Sequence, residues 1–295
     1  MLFLFYSLVF SYRIRQPIGE AANLPILTTL DELKKWQEKY AHGNFISPAF
    51  GGGTCNVEFE VLTGCPLYEV GGSYALPYSD MIYHNIDSLI SLMNHNGYRT
   101  TAFHPNTGTY FNRRQIYDYM GFQEVYFSEE MGELPTEGLY TSDLELYNKV
   151  IETYEMVKSD EQPFFSYIIT MQNHGGYMYD YKKCGIEVEE GGICENTSEL
   201  QTYANIVSSS VDAMEYFITY FDSVKEPTVV VIFGDHIPAV DGFGYRYDEV
   251  KYTEQHVYAM TPLIIYSNYD LPYEDWEYVN GYSLAAKVLE YCGIR

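Results

Sequence analysis

Four short apolar runs, each closing on polar side chains, constrain this chain more than any other feature. They are Tyr98–His104 (YRTTAFH), Pro163–His174 (PFFSYIITMQNH), Pro227–His236 (PTVVVIFGDH) and Pro262–Ser267 (PLIIYS). Runs rich in β-branched and aromatic residues without polar alternation suit strands buried on both faces of a parallel sheet. Helical patterns lie around them: Leu30–Tyr40 behind Thr29, Ile86–Asn96, Leu144–Lys158 behind Thr141-Ser142-Asp143, Glu199–Phe221, and Ser283–Cys292. Strand and helix alternate, which predicts an α/β fold with a largely parallel central sheet flanked by helices. Tyr177–Asn196 is the expected excursion from that sheet, and no shift in composition marks a second domain.

In an open α/β sheet, ligands bind beyond the carboxyl ends of the strands. Three of the four runs end in histidine, at His104, His174 and His236, in a chain with only 7 histidines. Singly, each reads equally well as a hydrogen-bonded loop histidine. Together they point to a polar or metal-bearing site. Asp235 and His236 are the sharpest pair, because carboxylate oxygen and imidazole nitrogen side by side suit Zn²⁺ or Mn²⁺. Gly234 before them lets the chain turn at the strand end.

Two further segments carry chemistry. In Phe50-Gly51-Gly52-Gly53-Thr54, three glycines lead a hydroxyl residue into VEFEVLTG. A glycine turn opening a helix offers N–H groups and a positive dipole end to an anion. The lysine of a phosphate-binding GxxxxGK[ST] loop is missing, so Thr54 reads as a nucleophile rather than a magnesium clamp, or else simply as a helix cap. The second segment, His104-Pro-Asn-Thr-Gly-Thr-Tyr-Phe111-Asn112-Arg113-Arg114, holds two adjacent arginines. Arginine binds phosphate through a bidentate fork, and an aromatic beside it walls a pocket; the alternative is a pair that offsets acidic surface.

Charge excludes one class of partner. With 17 basic and 41 acidic side chains, the net charge is 17 − 41 = −24, which opposes sequence-independent binding of nucleic acid. The N-terminal run Met1–Phe10 is about ten residues long, too short to cross a bilayer that needs roughly 20. It reads either as the tail of a longer membrane segment or as an exposed strand. The 5 cysteines form no CxxC pair, and Cys184 and Cys194 bracket a turn-forming stretch that suits a disulfide or two free thiols equally.

The segments FISPAFGGGTCNVEFEVLTG, HPNTGTYFNRRQIYDYMGF, TMQNHGGY and VVVIFGDHIPAV, in this order, resemble the extracellular catalytic domain of lipoteichoic acid synthases. That group belongs to the sulfatase-like branch of the alkaline phosphatase superfamily. The likeness runs from about Asn44 to the C-terminus and implies an alkaline phosphatase-like sheet. It divides the chain into a divergent or truncated segment, 1–28, and a sulfatase-like catalytic domain, 29–295. It makes Thr54 the nucleophile and a metal ligand, Asp235 and His236 metal ligands, and Mn²⁺ the usual ion, with other divalent metals as substitutes. His104, Phe111, Arg113 and His174 become the pocket for glycerol phosphate.

The implied activity moves phosphoglycerol from a phosphatidylglycerol-like lipid, through a threonine intermediate, to a polyglycerolphosphate acceptor. The work would take place at the extracellular face of a Gram-positive-type membrane. The alternatives are a related sulfatase or phosphodiesterase and an inactive binding module. Sulfatases proper convert a Cys or Ser within C/S-x-P-S-R, a context absent around Thr54. The family also opens its domain with an apolar strand ending in a glutamate metal ligand. Such a strand is not evident in this sequence, and Glu20 stands as a substitute.

Overall fold

A computed structural model describes residues 2–9, 26–71, 75–158, 162–187, 197–240, 250–252 and 257–294. In chain order the elements begin β1 (Leu2–Val9), α1 (Ile26–Lys39), β2 (Ala41–Ser47), α2 (Thr54–Thr63), α3 (Leu67–Val70), α4 (Pro77–Asp80), α5 (Leu89–His95) and β3 (Arg99–Phe103). Next come α6 (Arg113–Met120), β4 (Glu124–Tyr126), α7 (Ser128–Met131), the small hairpin β5 (Thr136–Glu137) and β6 (Tyr140–Thr141), α8 (Asp143–Val157) and β7 (Phe164–Ile169). The chain closes with α9 (Thr197–Asp222), β8 (Thr228–His236), β9 (Val250–Tyr252), β10 (Val257–Ser267), β11 (Asp275–Asn280) and α10 (Gly281–Tyr291).

The main sheet runs β11-β2-β10-β8-β1-β7-β3-β4, with β9 paired to β10. From β8 to β4 every pairing is parallel. β10 runs against both β8 and β2, so the fourth apolar run lies in the sheet with reversed direction. Pro262 sits inside β10 without breaking it. Pairing with β8 begins at Leu263, so the proline, which lacks an N–H, falls where β10 bonds only to β2.

The largest departure from the sequence reading is at the N-terminus. Leu2–Val9 lies between β7 and β8, parallel to both, with Leu8 opposite Gly234 and Val9 opposite His236. The run read as a membrane-segment tail or an exposed strand is a central strand. It closes on Leu8 and Val9 rather than on a carboxylate, and Glu20 lies outside the described residues.

Both faces of the sheet are covered. Along β8, Val229, Val231 and Phe233 join a core with Phe59 and Leu62 of α2, Ile90 of α5 and Val288 of α10. Val230 and Ile232 join the opposite core with Val150 of α8 and Met214 and Phe217 of α9. The period-2 alternation therefore feeds two apolar layers, which is why the run reads as continuously hydrophobic. No helix among the described residues is long and apolar enough to cross a membrane. The proposed Cys184–Cys194 pairing involves a residue outside the described set.

Candidate active site

The glycine turn sets the site. Gly51, Gly52 and Gly53 all hold positive φ, at 64, 144 and 89. Side chains rarely tolerate three such conformations in succession, so the triplet is a backbone requirement. The Gly51 N–H donates to the Ile237 carbonyl at 2.8 Å, stitching the turn to the chain just past β8. Thr54 is thereby the first residue of α2, at the carboxyl end of the sheet. Its hydroxyl does not cap the helix; it donates to Asp235 Oδ2 at 2.8 Å.

Asp235 and His236 end β8 buried. The His236 N–H donates to Asp235 Oδ1 at 2.9 Å. The His236 ring meets the Ile237 carbonyl through Nδ1 at 3.2 Å. A carbonyl only accepts, so Nδ1 is the donor in this contact. The ring's Nε2 is buried without a partner and lies 3.6 Å from Asp235 Oδ2. Burial pushes the Asp235 carboxyl up, partly offset by His236 and the Thr54 hydroxyl.

Carboxylate oxygen, imidazole nitrogen and a threonine hydroxyl brought together in this way form a donor set that fits a divalent cation. Oxygen and imidazole donors suit Zn²⁺ or Mn²⁺. Among the described residues, no group of three or more His, Cys, Asp and Glu side chains gathers there. The donor set visible is Thr54, Asp235 and His236.

The two arginines separate. Phe111 and Asn112 both have positive φ (54 and 55), a strained turn that sends Arg113 inward and Arg114 outward. Arg114 pairs with Glu130 at 2.7 Å on the surface and lies over the Phe127 ring. It is no part of the site. Arg113 is 2% exposed and meets Glu58, at 0%, through Nη2 and Nε at 2.7 and 2.9 Å from Oε1. Two of its three nitrogens are thus taken, and only Nη1 is buried without a partner. Phe111 covers it, with the guanidinium 5.2 Å from the ring centre. Burial works against the Arg113 charge, but Glu58 and Tyr117 more than compensate and hold its pKa up.

His104 is buried, with Nδ1 3.4 Å from the Ile169 carbonyl and Nε2 unpartnered. Burial first, and Arg113 second, drive its pKa well down, so the ring is neutral. His174 is half-buried beside Tyr140, with ring centres 5.3 Å apart. Its pKa is lowered by burial and by the charges of His236 and Arg113, against Gly175 and Asp235. Thr54, Asp235 and His236 meet at the end of β8, and Phe111 lies against Arg113 at the start of α6.

Sequence reasoning missed Glu58 and Tyr117, whose hydroxyl donates to Glu58 Oε2 at 2.7 Å. The signal was present, since Glu58 stands four residues after Thr54, on the same side of a helix otherwise apolar at that level.

A family model described as Sulfatase matches residues 20–294. A protein of Rhizobium meliloti (strain 1021) named "Putative cyclic beta-1,2-glucan modification protein" is 33% identical over 263 residues, 85% of this chain and 40% of its own length. Lipoteichoic acid synthase of Staphylococcus saprophyticus is 25% identical over 215 residues, 70% of this chain and 31% of its own. The chain thus spans less than half the length of these curated relatives. Among solved structures, the Streptococcus pyogenes phosphoglycerol transferase GacH, in complex with sn-glycerol-1-phosphate, superposes with a TM-score of 0.77 at 24% identity, over 98% of this chain and 74% of that one. The fold is that of the alkaline phosphatase superfamily.

Proposed function

This chain belongs to the sulfatase family of enzymes, and from that premise we propose that it is a metal-dependent phosphoglycerol transferase with Thr54 as nucleophile. The observation that carries the reading is the Thr54 hydroxyl, set at a helix N-terminus and bonded at 2.8 Å to a buried carboxylate beside an unpaired imidazole nitrogen. Thr54, Asp235 and His236 would hold a divalent ion, Mn²⁺ in this reading, which would supply a lowered hydroxyl pKa and positive charge for a phosphoryl oxygen.

The chain's own groups do the rest. Thr54 Oγ1 attacks the phosphorus of a phosphatidylglycerol-like lipid, and its proton passes through solvent to the departing diacylglycerol oxygen. The bond from phosphorus to the diacylglycerol oxygen breaks, and diacylglycerol leaves protonated. An acceptor hydroxyl then attacks the threonine-linked phosphoglycerol, and Thr54 regains its proton. Arg113 Nη1 faces the non-bridging oxygens. Neutral His104 offers Nε2 to a glycerol hydroxyl, and His174 at the mouth orients the incoming alcohol.

The likeness to lipoteichoic acid synthase supports a polyglycerolphosphate acceptor at the extracellular face of a Gram-positive-type membrane. The 33% relative, named for glucan modification, favours a glycan hydroxyl as a second acceptor class. Sulfate-ester hydrolysis through a modified cysteine finds no support. Cys55 is buried, and burial, then Glu58, pushes its thiol up to about 12, an inert state.

The test is the full chain with Mn²⁺ and phosphatidylglycerol vesicles. Intact-mass spectrometry is expected to show a phosphoglycerol adduct that Thr54→Ala cannot form while melting as the parent does. An adduct retained in Thr54→Ala would remove the nucleophile assignment. Glucan and glycerol phosphate oligomers supplied side by side then decide the acceptor.

A further inference from the structure

The fully buried carboxylate of Glu58 has no place in the chemistry above, yet it is built into it. Glu58 follows Thr54 by four residues on α2, so one helical turn carries both on one face. Its Oε1 accepts from Arg113 Nε and Nη2, and its Oε2 accepts from Tyr117 at 2.7 Å. A guanidinium is planar, so fixing two nitrogens fixes the direction of the third. That third nitrogen, Nη1, is the one left buried without a partner. Stability does not explain the arrangement, because a buried ion pair is commonly no better than apolar residues of the same volume. A buried cationic donor left without a protein partner suits an anion.

Resting on the function proposed above, we infer that Glu58 is a positioning residue that aims Arg113 Nη1 at a phosphoryl oxygen and ties that donor to the helix bearing Thr54. Nucleophile and anion donor then move as one body, and the distance between them is set by a single helical turn.

Inorganic phosphate is the probe, titrated calorimetrically into the full chain with Mn²⁺ present, so the readout does not require turnover. Glu58→Gln is expected to weaken phosphate binding by about tenfold or more, the scale of one hydrogen bond to a charged group. Arg113→Met is expected to do the same. The double variant Glu58→Gln/Arg113→Met is expected to regain melting temperature, since no charge is stranded, while phosphate binding stays as weak as in Arg113→Met alone. A merely structural Glu58 would instead lower the melting temperature of Glu58→Gln and leave its phosphate affinity unchanged. Parent-like phosphate affinity in Glu58→Gln, losses that multiply in the double variant, or no phosphate binding by the parent chain would each overturn the inference. Failure of the threonine adduct with phosphate binding intact would overturn the transfer reading alone.

Discussion

The corner of the site at the end of β8 leaves an imidazole nitrogen unmatched beside a carboxylate, whereas the corner beneath α6 leaves a guanidinium nitrogen unmatched. At the first, Asp235 Oδ2 and His236 Nε2 face each other 3.6 Å apart. At the second, Arg113 Nη1 is buried without a partner. Buried polar groups are normally satisfied, so each corner specifies what completes it. A cation answers the first and an anion the second. A phosphoryl group beside a divalent ion answers both, and Thr54 stands between.

Four substitutions sharpen that contrast, from the largest effect to the smallest. Arg113→Met strands the Glu58 carboxylate in the core and is expected to cost about 3–5 kcal/mol by denaturant unfolding. A cost below ~1 kcal/mol would mean that the pair is not buried as described. Gly52→Ala puts a side chain at φ 144 and should cost about 1–3 kcal/mol, although a Cβ there would meet nothing within 4 Å. The loss is therefore strain in the turn that presents Thr54, and metal binding should weaken with it.

Asp143 gives the third test, read as pH dependence. It is buried at the start of α8, accepting from Ser210 at 2.7 Å, and burial pushes its carboxyl from 3.8 up to about 7. An acid whose folded pKa lies above its unfolded value binds more protons when folded. Its contribution to stability therefore falls as pH rises from about 4 to about 7. Asp143→Asn should flatten that part of the stability curve, and an unchanged slope would count against it. Arg114→Met, one residue from the first substitution, should change stability by less than about 1 kcal/mol, because its pairs are solvent-exposed. A loss as large as that of Arg113→Met would erase the distinction between the two arginines.

The parts legible in sequence were those whose physics is local. VVVIFG is apolar on both faces because β8 is covered on both faces, so strand and position were readable, and Asp235-His236 followed from it. The strand β2 was not. Its buried positions are Ala41, Gly43, Phe45 and Ser47, a period-2 pattern with one large apolar side chain in it. β1 escaped for a different reason: Leu2–Val9 was weighed as a membrane segment, and its place between β7 and β8 is a long-range pairing that no local signal carries. The arginine pair misled because adjacency in sequence says nothing about direction once Phe111 and Asn112 take positive φ. Glu58 and Glu60 both interrupt an apolar helix. The first holds Arg113 and the second accepts the Leu67 N–H at 2.9 Å. A carboxylate inside an apolar run is a cue that a partner exists, but only the fold names it.

The most direct measurement of the central claim is the coupling between the two corners. Phosphate affinity of the full chain is measured by calorimetry with and without Mn²⁺, and Mn²⁺ affinity with and without phosphate. Each ligand is predicted to tighten the other by the same factor, as linkage requires, and His236→Ala is predicted to abolish the effect. Identical phosphate affinity in the presence and absence of bound Mn²⁺ would contradict a single site completed by both.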